Sequence, residues 1–240
     1  MALILCIETG TDVCSVALAR NGQSVALRES AEGRDHARLL GVYVDEILRS
    51  NGISPEKLDA VAVGKGPGSY TGLRIGVSLA KGMCYALGIP LVAVGSLEAL
   101  VRVAAGDLHD GRVAAGDAGE ALFCPMIDAR RMEVYTQVFD ASLRPLTEVA
   151  AEVITPASFS DFLGNEAPLR PFLIFGNGAA KALAMLPSER VNYLDVSPSA
   201  RGMAALAQEA FDAGRFEEVA YFEPFYLKDF IVLESTKKMW

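Results

Sequence analysis

The stretch Leu3-Ile4-Leu5-Cys6-Ile7-Glu8-Thr9-Gly10-Thr11-Asp12-Val13-Cys14-Ser15-Val16-Ala17-Leu18-Ala19-Arg20-Asn21-Gly22 holds two apolar runs, residues 3–8 and 13–19, around the turn Thr9-Gly10-Thr11-Asp12. Runs of this length bounded by turn residues read as strands. Asn21-Gly22 supplies the two left-handed positions of a type I′ turn, so residues 23–29 read as a third strand antiparallel to the second. A three-stranded meander therefore opens the chain.

Outward from it the period changes. Between 35 and 50, Leu39, Leu40, Tyr43, Val44, Ile47 and Leu48 recur at i, i+4 and i+8, the apolar face of a helix. Asp35 is placed to cap its start and Asn51-Gly52 to stop it. Residues 58–64 read as a strand, 72–88 as a second helix, 91–94 as a strand after Pro90, and 96–103 as a third helix. The order βββαβαβ is a meander continued by parallel βα units. Residues 106–119, with four glycines and three aspartates, read as a linker or long loop. Beyond them, strands at 122–127 and 132–139 flank the turn Asp128-Ala129-Arg130-Arg131. A short helix is expected at 155–163, a strand at 171–175, then Gly176-Asn177-Gly178 with a small helix, and a longer amphipathic helix at 199–213. The second half echoes the first, which predicts an α/β protein of two similar lobes, 1–104 and 105–240.

The chain has 240 residues with 30 acidic and 22 basic side chains, a net charge of −8. Nucleic-acid binders gain affinity from Lys and Arg neutralising phosphates, and no basic cluster or basic helix stands out. Any RNA is expected to be held by a partner. No stretch approaches the roughly 18 apolar residues of a membrane span. The N-terminus reads as a core strand rather than a signal peptide, so a cytoplasmic location is expected. Cys6, Cys14, Cys84 and Cys124 lack paired spacing and read as buried, reduced thiols.

Gly64-Lys65-Gly66-Pro67-Gly68-Ser69-Tyr70-Thr71-Gly72 lies between a strand and a helix. Glycines there let the backbone approach a ligand, and a helix N-terminus offers N–H groups to an anion. The spacing matches neither a Walker A loop nor the dinucleotide fingerprint. Two readings stand open: a structural turn into the helix, or a phosphate or nucleotide contact drawing on Glu8, Thr9, Gly66, Gly68, Ser69 and Arg74. On the helix that follows, Gly72, Gly76 and Ala80 stack on one side, flanked by Leu73, Val77, Met83 and Leu87. Arg74, Ser78, Lys81 and Tyr85 form the solvent stripe. At about 100° per residue the apolar arc is roughly 220° wide, more than one sheet covers. The surplus predicts a second covering element, either the helix at 35–50 of the same chain or a partner molecule, or both, with the small residues letting its backbone come close. On that reading Gly76→Leu abolishes pairing and leaves the fold intact.

Catalytic and metal-binding constellations are missing from the sequence. Of the two histidines, His36 faces Leu40 at i+4 and His109 sits in the linker, so neither reads as a ligand; both read as solvated or capping side chains. No nucleophile elbow or Ser/His/Asp set occurs. Glu8 and Asp12 flank the first turn, where carboxylates serve either Mg²⁺ and phosphate or turn capping.

The opening run Ile4 to Leu18 resembles the start of the TsaB (YeaZ) family. So does Gly66-Pro67-Gly68-Ser69-Tyr70-Thr71-Gly72-Leu73-Arg74-Ile75-Gly76-Val77-Ser78, continued by Ala80-Lys81-Gly82. Further likenesses are Ile89-Pro90-Leu91-Val92-Ala93-Val94, Asp128-Ala129-Arg130-Arg131-Met132-Glu133-Val134-Tyr135 and Pro224-Phe225-Tyr226-Leu227-Lys228. The resemblance implies the actin-like (ASKHA) ATPase fold, two ribonuclease-H-like lobes with mixed sheets flanked by helices. It implies an accessory subunit rather than an enzyme, binding the catalytic paralogue TsaD and working with the ATPase TsaE in threonylcarbamoyl transfer to the tRNA adenosine next to the anticodon. The older "glycoprotease" label finds no support in these residues. ATP and metal are expected on TsaD and no cofactor on this chain; alone, it is expected to pair with itself. No catalytic residue and no metal ligand carries over. What carries over is a docking face on the two helices, assigned here to Leu39, Tyr43, Ile47, Gly72, Leu73, Gly76, Val77, Ala80 and Met83.

Overall fold

The computed structural model describes residues 2–30, 35–114, 120–165, 168–187 and 189–228. The meander forms as read: β1 (Leu3–Glu8), β2 (Cys14–Arg20) and β3 (Gln23–Ser30) pair antiparallel in sequence order. Asn21 and Gly22 take φ of 53° and 77°, which supplies the right-handed twist a tight hairpin needs. Then follow α1 (His36–Ser50), β4 (Ala60–Gly66), α2 (Tyr70–Leu87), β5 (Leu91–Gly95) and α3 (Ser96–His109). β1, β4 and β5 run parallel, giving a sheet of order β3-β2-β1-β4-β5.

The second sheet holds β6 (Leu122–Asp128), β7 (Glu133–Thr136), β8 (Ala150–Val153), β9 (Phe172–Phe175) and β10 (Val191–Leu194). Read from β8, its order is β8-β7-β6-β9-β10, again with two antiparallel and two parallel pairings. Each sheet has the 3-2-1-4-5 order of a ribonuclease-H-like lobe, so the two-lobed actin-like plan stands. Two short helices, α4 (Ser160–Leu163) and α5 (Ala179–Leu183), lie on this sheet, and α6 (Ala204–Asp212) follows a 3-10 turn at Ala200–Met203. No helix of the described residues is long and apolar enough to cross a membrane.

Several boundaries differ from the sequence reading. α3 runs to His109, through Gly106 and Asp107, which the composition places in a linker; residues 115–119 of that linker lie outside the described residues. Asp107 is buried and accepts from Arg112 (2.8 Å) and Arg201 (2.6 Å), which offsets the cost of a carboxylate there. The strand expected at 132–139 is only Glu133–Thr136, and the helix expected at 155–163 is one turn at its end. Asp35 makes no side-chain cap; its carboxylate takes Arg38 instead, at 2.7 Å.

Helices cross between the sheets. Leu97, Leu100, Val101, Val103 and Ala104 of α3 pack with Phe123, Ile127, Leu173 and Phe175 of the second sheet. In return Ala200, Met203, Ala204 and Ala207 pack on Ile4, Cys6, Ala17, Ala62 and Val94 of the first. The division expected at 104 therefore cuts a helix, and residues 200–212 belong with the first sheet. Alternate residues of β1 settle its faces: Leu5 and Ile7 meet α1 and α2, while Ile4 and Cys6 meet α6.

All four cysteines are free and buried. Burial pushes the Cys6 and Cys124 thiols up to about 12, and Cys14 and Cys84 up to about 11. Since the thiolate is the reactive form, a disulfide-exchange reagent is expected to label no cysteine in the folded chain and four once it is denatured. Rapid labelling without denaturant would contradict this placement.

Candidate functional site

The β1–β2 turn is held from every side. Glu8, at the end of β1, is 1% exposed. Its carboxylate accepts from Gly10 N–H (2.7 Å) and from the Ser96 hydroxyl (2.9 Å) at the start of α3. Burial raises its pKa above the ordinary value, against the lowering effect of those hydrogen bonds and of His36. Thr9 donates its hydroxyl to the Gly72 carbonyl (2.8 Å). His36 is not solvated: it is buried, and its Nε2–H donates to the Thr11 carbonyl (2.8 Å), so its role is to tie α1 to the turn. Asp12 is exposed, and His109 is exposed at the end of α3.

The glycine-rich loop is pressed onto this turn. Ser69 N–H donates to Gly10 O (2.6 Å), and the Ser69 hydroxyl accepts from Gly72 N–H (3.3 Å), capping α2 from within. A Cβ at Gly68 would overlap the Gly10 carbonyl, and one at Gly72 the Thr9 carbonyl. These glycines thus have a packing reason: they let the loop and helix touch the β1–β2 backbone. Of the six residues considered for an anion, Glu8 and Thr9 are buried and engaged, Gly66, Gly68 and Ser69 face the turn or the segment around Phe225, and Arg74 alone is an exposed cation. The second glycine group is engaged in the same way. Asn177 accepts from Asp128 N–H (3.0 Å), and a Cβ at Gly176 would overlap the Met126 carbonyl.

The small-residue side of α2 faces inward. A Cβ at Gly76 would overlap Thr9 Oγ1, and Gly72, Leu73, Gly76, Val77, Ala80 and Cys84 are all buried against the chain's own sheet. Ile47 of α1 is likewise buried. The close approach that the small residues permit is therefore to β1 and its turn, not to a second chain. The outward side carries partly exposed Ile75, Leu79 and Met83 beside Leu39 and Tyr43 of α1. Gly82 and Ala86 are exposed there, and a Cβ at Gly82 meets nothing within 4 Å.

Of the stripe read as solvent-facing on α2, Ser78 and Tyr85 are exposed, while Lys81 and Arg74 are met by a strap formed by residues 216–228. Glu217 N–H donates to Leu91 O (2.9 Å) in an antiparallel bridge on the edge of β5. Lys81 Nζ donates to the carbonyls of Ala220 (3.1 Å) and Phe222 (3.0 Å), while Val219 and Phe222 pack on the α1–α2 core. Phe225 N–H donates to Lys65 O (2.7 Å) on the glycine-rich loop. Tyr226 lies 4.8 Å from the Tyr70 ring and accepts from Arg74, whose guanidinium sits 4.5 Å over Tyr70. Lys228 then pairs with Glu133 of the second sheet. The strap thus runs antiparallel to α2 and ties the two lobes together, a role that the Pro224–Lys228 likeness gave no reason to expect. In the second lobe a cavity of about 300 Å³ opens beside β8, lined among others by Thr136, Glu148, Glu152, Ser158 and Asp161. No group of three or more potential metal ligands is found among the described residues.

A family model described as TsaD, tRNA N6-adenosine threonylcarbamoyltransferase, matches residues 29–233. The chain is 31% identical to the tRNA threonylcarbamoyladenosine biosynthesis protein TsaB of Haemophilus influenzae, over 94% of this chain and 93% of that one. It is 29% identical to the Escherichia coli protein of the same name, over 94% of each. The solved structure of YeaZ from Pseudomonas aeruginosa superposes with a TM-score of 0.76 at 26% identity, covering 95% of this chain and 100% of that one. Two lobes of matching topology, and likeness along nearly the whole length to proteins of one name, place this chain in the TsaB (YeaZ) family of tRNA threonylcarbamoyladenosine biosynthesis proteins.

Proposed function

We propose that this chain is a non-catalytic scaffold. It docks a TsaD-type paralogue, which carries ATP, metal and the transfer chemistry. With a TsaE-type ATPase, that complex modifies the adenosine next to the anticodon. Alone in the cytoplasm the chain pairs with itself through the same face, and tRNA is held only by the complex. The observation that carries this reading is the outward side of α1 and α2, where Leu39, Tyr43, Ile75, Leu79 and Met83 keep apolar surface in water around an open Gly82. Contiguous apolar surface of this kind on a soluble domain fits an interface. Of the nine residues first assigned to that face, Leu39, Tyr43 and Met83 remain on it; the others support it from beneath.

Gly82→Arg tests the reading. Replacing an exposed helix glycine gains up to about 1 kcal/mol of helix propensity, so the variant is expected to melt at or above the wild-type temperature. The added guanidinium blocks the face, so light scattering is expected to show no heterocomplex with the cognate TsaD-type protein. A variant that still pairs with wild-type affinity would move the interface off α2.

A further inference from the structure

We propose that the β6–β7 turn, with Lys228 beside it, is the region of this chain that touches RNA phosphates; the proposal rests on the scaffold reading above. Arg130 and Arg131 hold φ of 70° and 51°, a left-handed pair that non-glycine side chains adopt only at a steric cost. For its plain hairpin, β2 to β3, the same chain uses Asn21-Gly22 at φ 53° and 77°, the pair that adopts this conformation at least cost. Arginine in the strained conformation is therefore not needed to make a turn.

The turn is also built rather than loose. Arg130 N–H donates to Asp128 Oδ1 (3.1 Å), and Lys181 Nζ donates to the carbonyls of Arg131 (2.9 Å) and Glu133 (2.6 Å) while pairing with Asp128. Both arginines are exposed, and neither side chain has an acidic partner among the described residues. The strap delivers Lys228 to Glu133 at the start of β7. Burial raises the pKa of partly exposed Tyr135 above its ordinary value, and the nearby charges of Lys228 and Arg130 oppose that rise. Three cations from two distant segments and one aromatic ring thus converge next to the carboxyl ends of the parallel strands β6 and β9, where open α/β sheets bind ligands. Guanidinium groups suit phosphate oxygens, and a tyrosine face accepts a stacked base. In a chain of net charge −8, a local cationic edge orients a polyanion that the rest of the surface repels.

The test uses the assembled complex of this chain with its TsaD-type and TsaE-type partners, and unmodified tRNA. Arg130→Asn with Arg131→Gly removes both charges and installs the low-cost turn pair. The variant is expected to melt no lower than the wild type and to assemble normally. It should bind tRNA about tenfold more weakly, with the slope of log affinity against log salt reduced by about 2, one for each phosphate that goes unneutralised. Arg130→Lys with Arg131→Lys is expected to keep most of that slope. Unchanged tRNA affinity and slope in the intact complex would overturn the proposal. So would loss of free ATP or pyrophosphate binding with tRNA binding intact, which would make the ligand a free nucleotide. Failure of the double variant to join its partner proteins would overturn it too, by making the turn a docking site for protein. Wild-type chain that never joins the TsaD-type protein would sink the scaffold reading instead.

Discussion

Gly76→Leu is expected to destabilise the first lobe itself, rather than to separate a pair of intact molecules. A Cβ at 76 already overlaps Thr9 Oγ1, and Ile7 lies just beyond it. The leucine must push α2 away from β1, which would also break the bond from the Thr9 hydroxyl to the Gly72 carbonyl. Overpacking of this kind costs about 1–3 kcal/mol and at times more, and each broken hydrogen bond adds about 0.5–1.5 kcal/mol. Urea titration followed by far-UV dichroism should therefore show a clearly lower midpoint than the wild type. A variant of wild-type midpoint that failed only to pair would restore the outward placement of Gly76 that its spacing suggests.

Glu8 is where a single substitution has a large effect of either sign. Glu8→Ala leaves Gly10 N–H and the Ser96 hydroxyl unanswered in the interior, at about 1–3 kcal/mol for each buried group. Glu8→Gln keeps both partners, since its carbonyl accepts from Gly10 and its amide donates to Ser96. The pH dependence follows from the raised pKa of the buried carboxyl. A group that holds its proton more tightly folded than unfolded contributes stability below its unfolded pKa. That contribution is lost as pH rises through the folded pKa. Wild-type chain should thus lose stability across this window above about pH 4.5, whereas Glu8→Gln should show a flatter curve and the higher midpoint at neutral pH. Parallel curves for the two proteins would mean that Glu8 is not desolvated as the fold places it.

The first lobe was legible because its signals are local. Apolar runs divided by Asn21-Gly22, then a 3.6-residue period, name three strands and a helix without reference to anything distant. α2 shows where such reading stops. Its composition gives the width of the apolar arc but not the direction of the sheet, and here Gly72 and Gly76 form the inner side. α3 reads too short because Gly106 and Asp107 look like loop residues, while the arginines that compensate Asp107 stand at 112 and 201. β8 and β10 were missed: four residues each at the edges of a sheet, with Ala150-Ala151-Glu152-Val153 offering no alternation. The candidate anion contacts were legible as a glycine loop, but not the fact that Gly10 and Thr9 fill it. The arginine turn was visible as a turn only. Lys228 reaches it through a strap whose route depends on tertiary pairing.

The exchange of helices between the sheets sets an order of assembly on the ribosome. Residues 122–194 make a whole sheet, and α3, which covers one of its faces, is synthesised before it. That lobe can close while the chain is still growing. The first sheet is begun earlier, yet its second face stays bare until Ala200–Met203 and α6 are made, and its β5 edge until Glu217 arrives. Contacts of such long sequence separation form slowly, so the nascent chain carries one largely uncovered apolar sheet face from the completion of β5 at Gly95 until Ala200–Met203 and α6 follow. The lobe that appears first in the sequence is the last to be finished, and is the one that a nascent-chain chaperone would have most reason to hold.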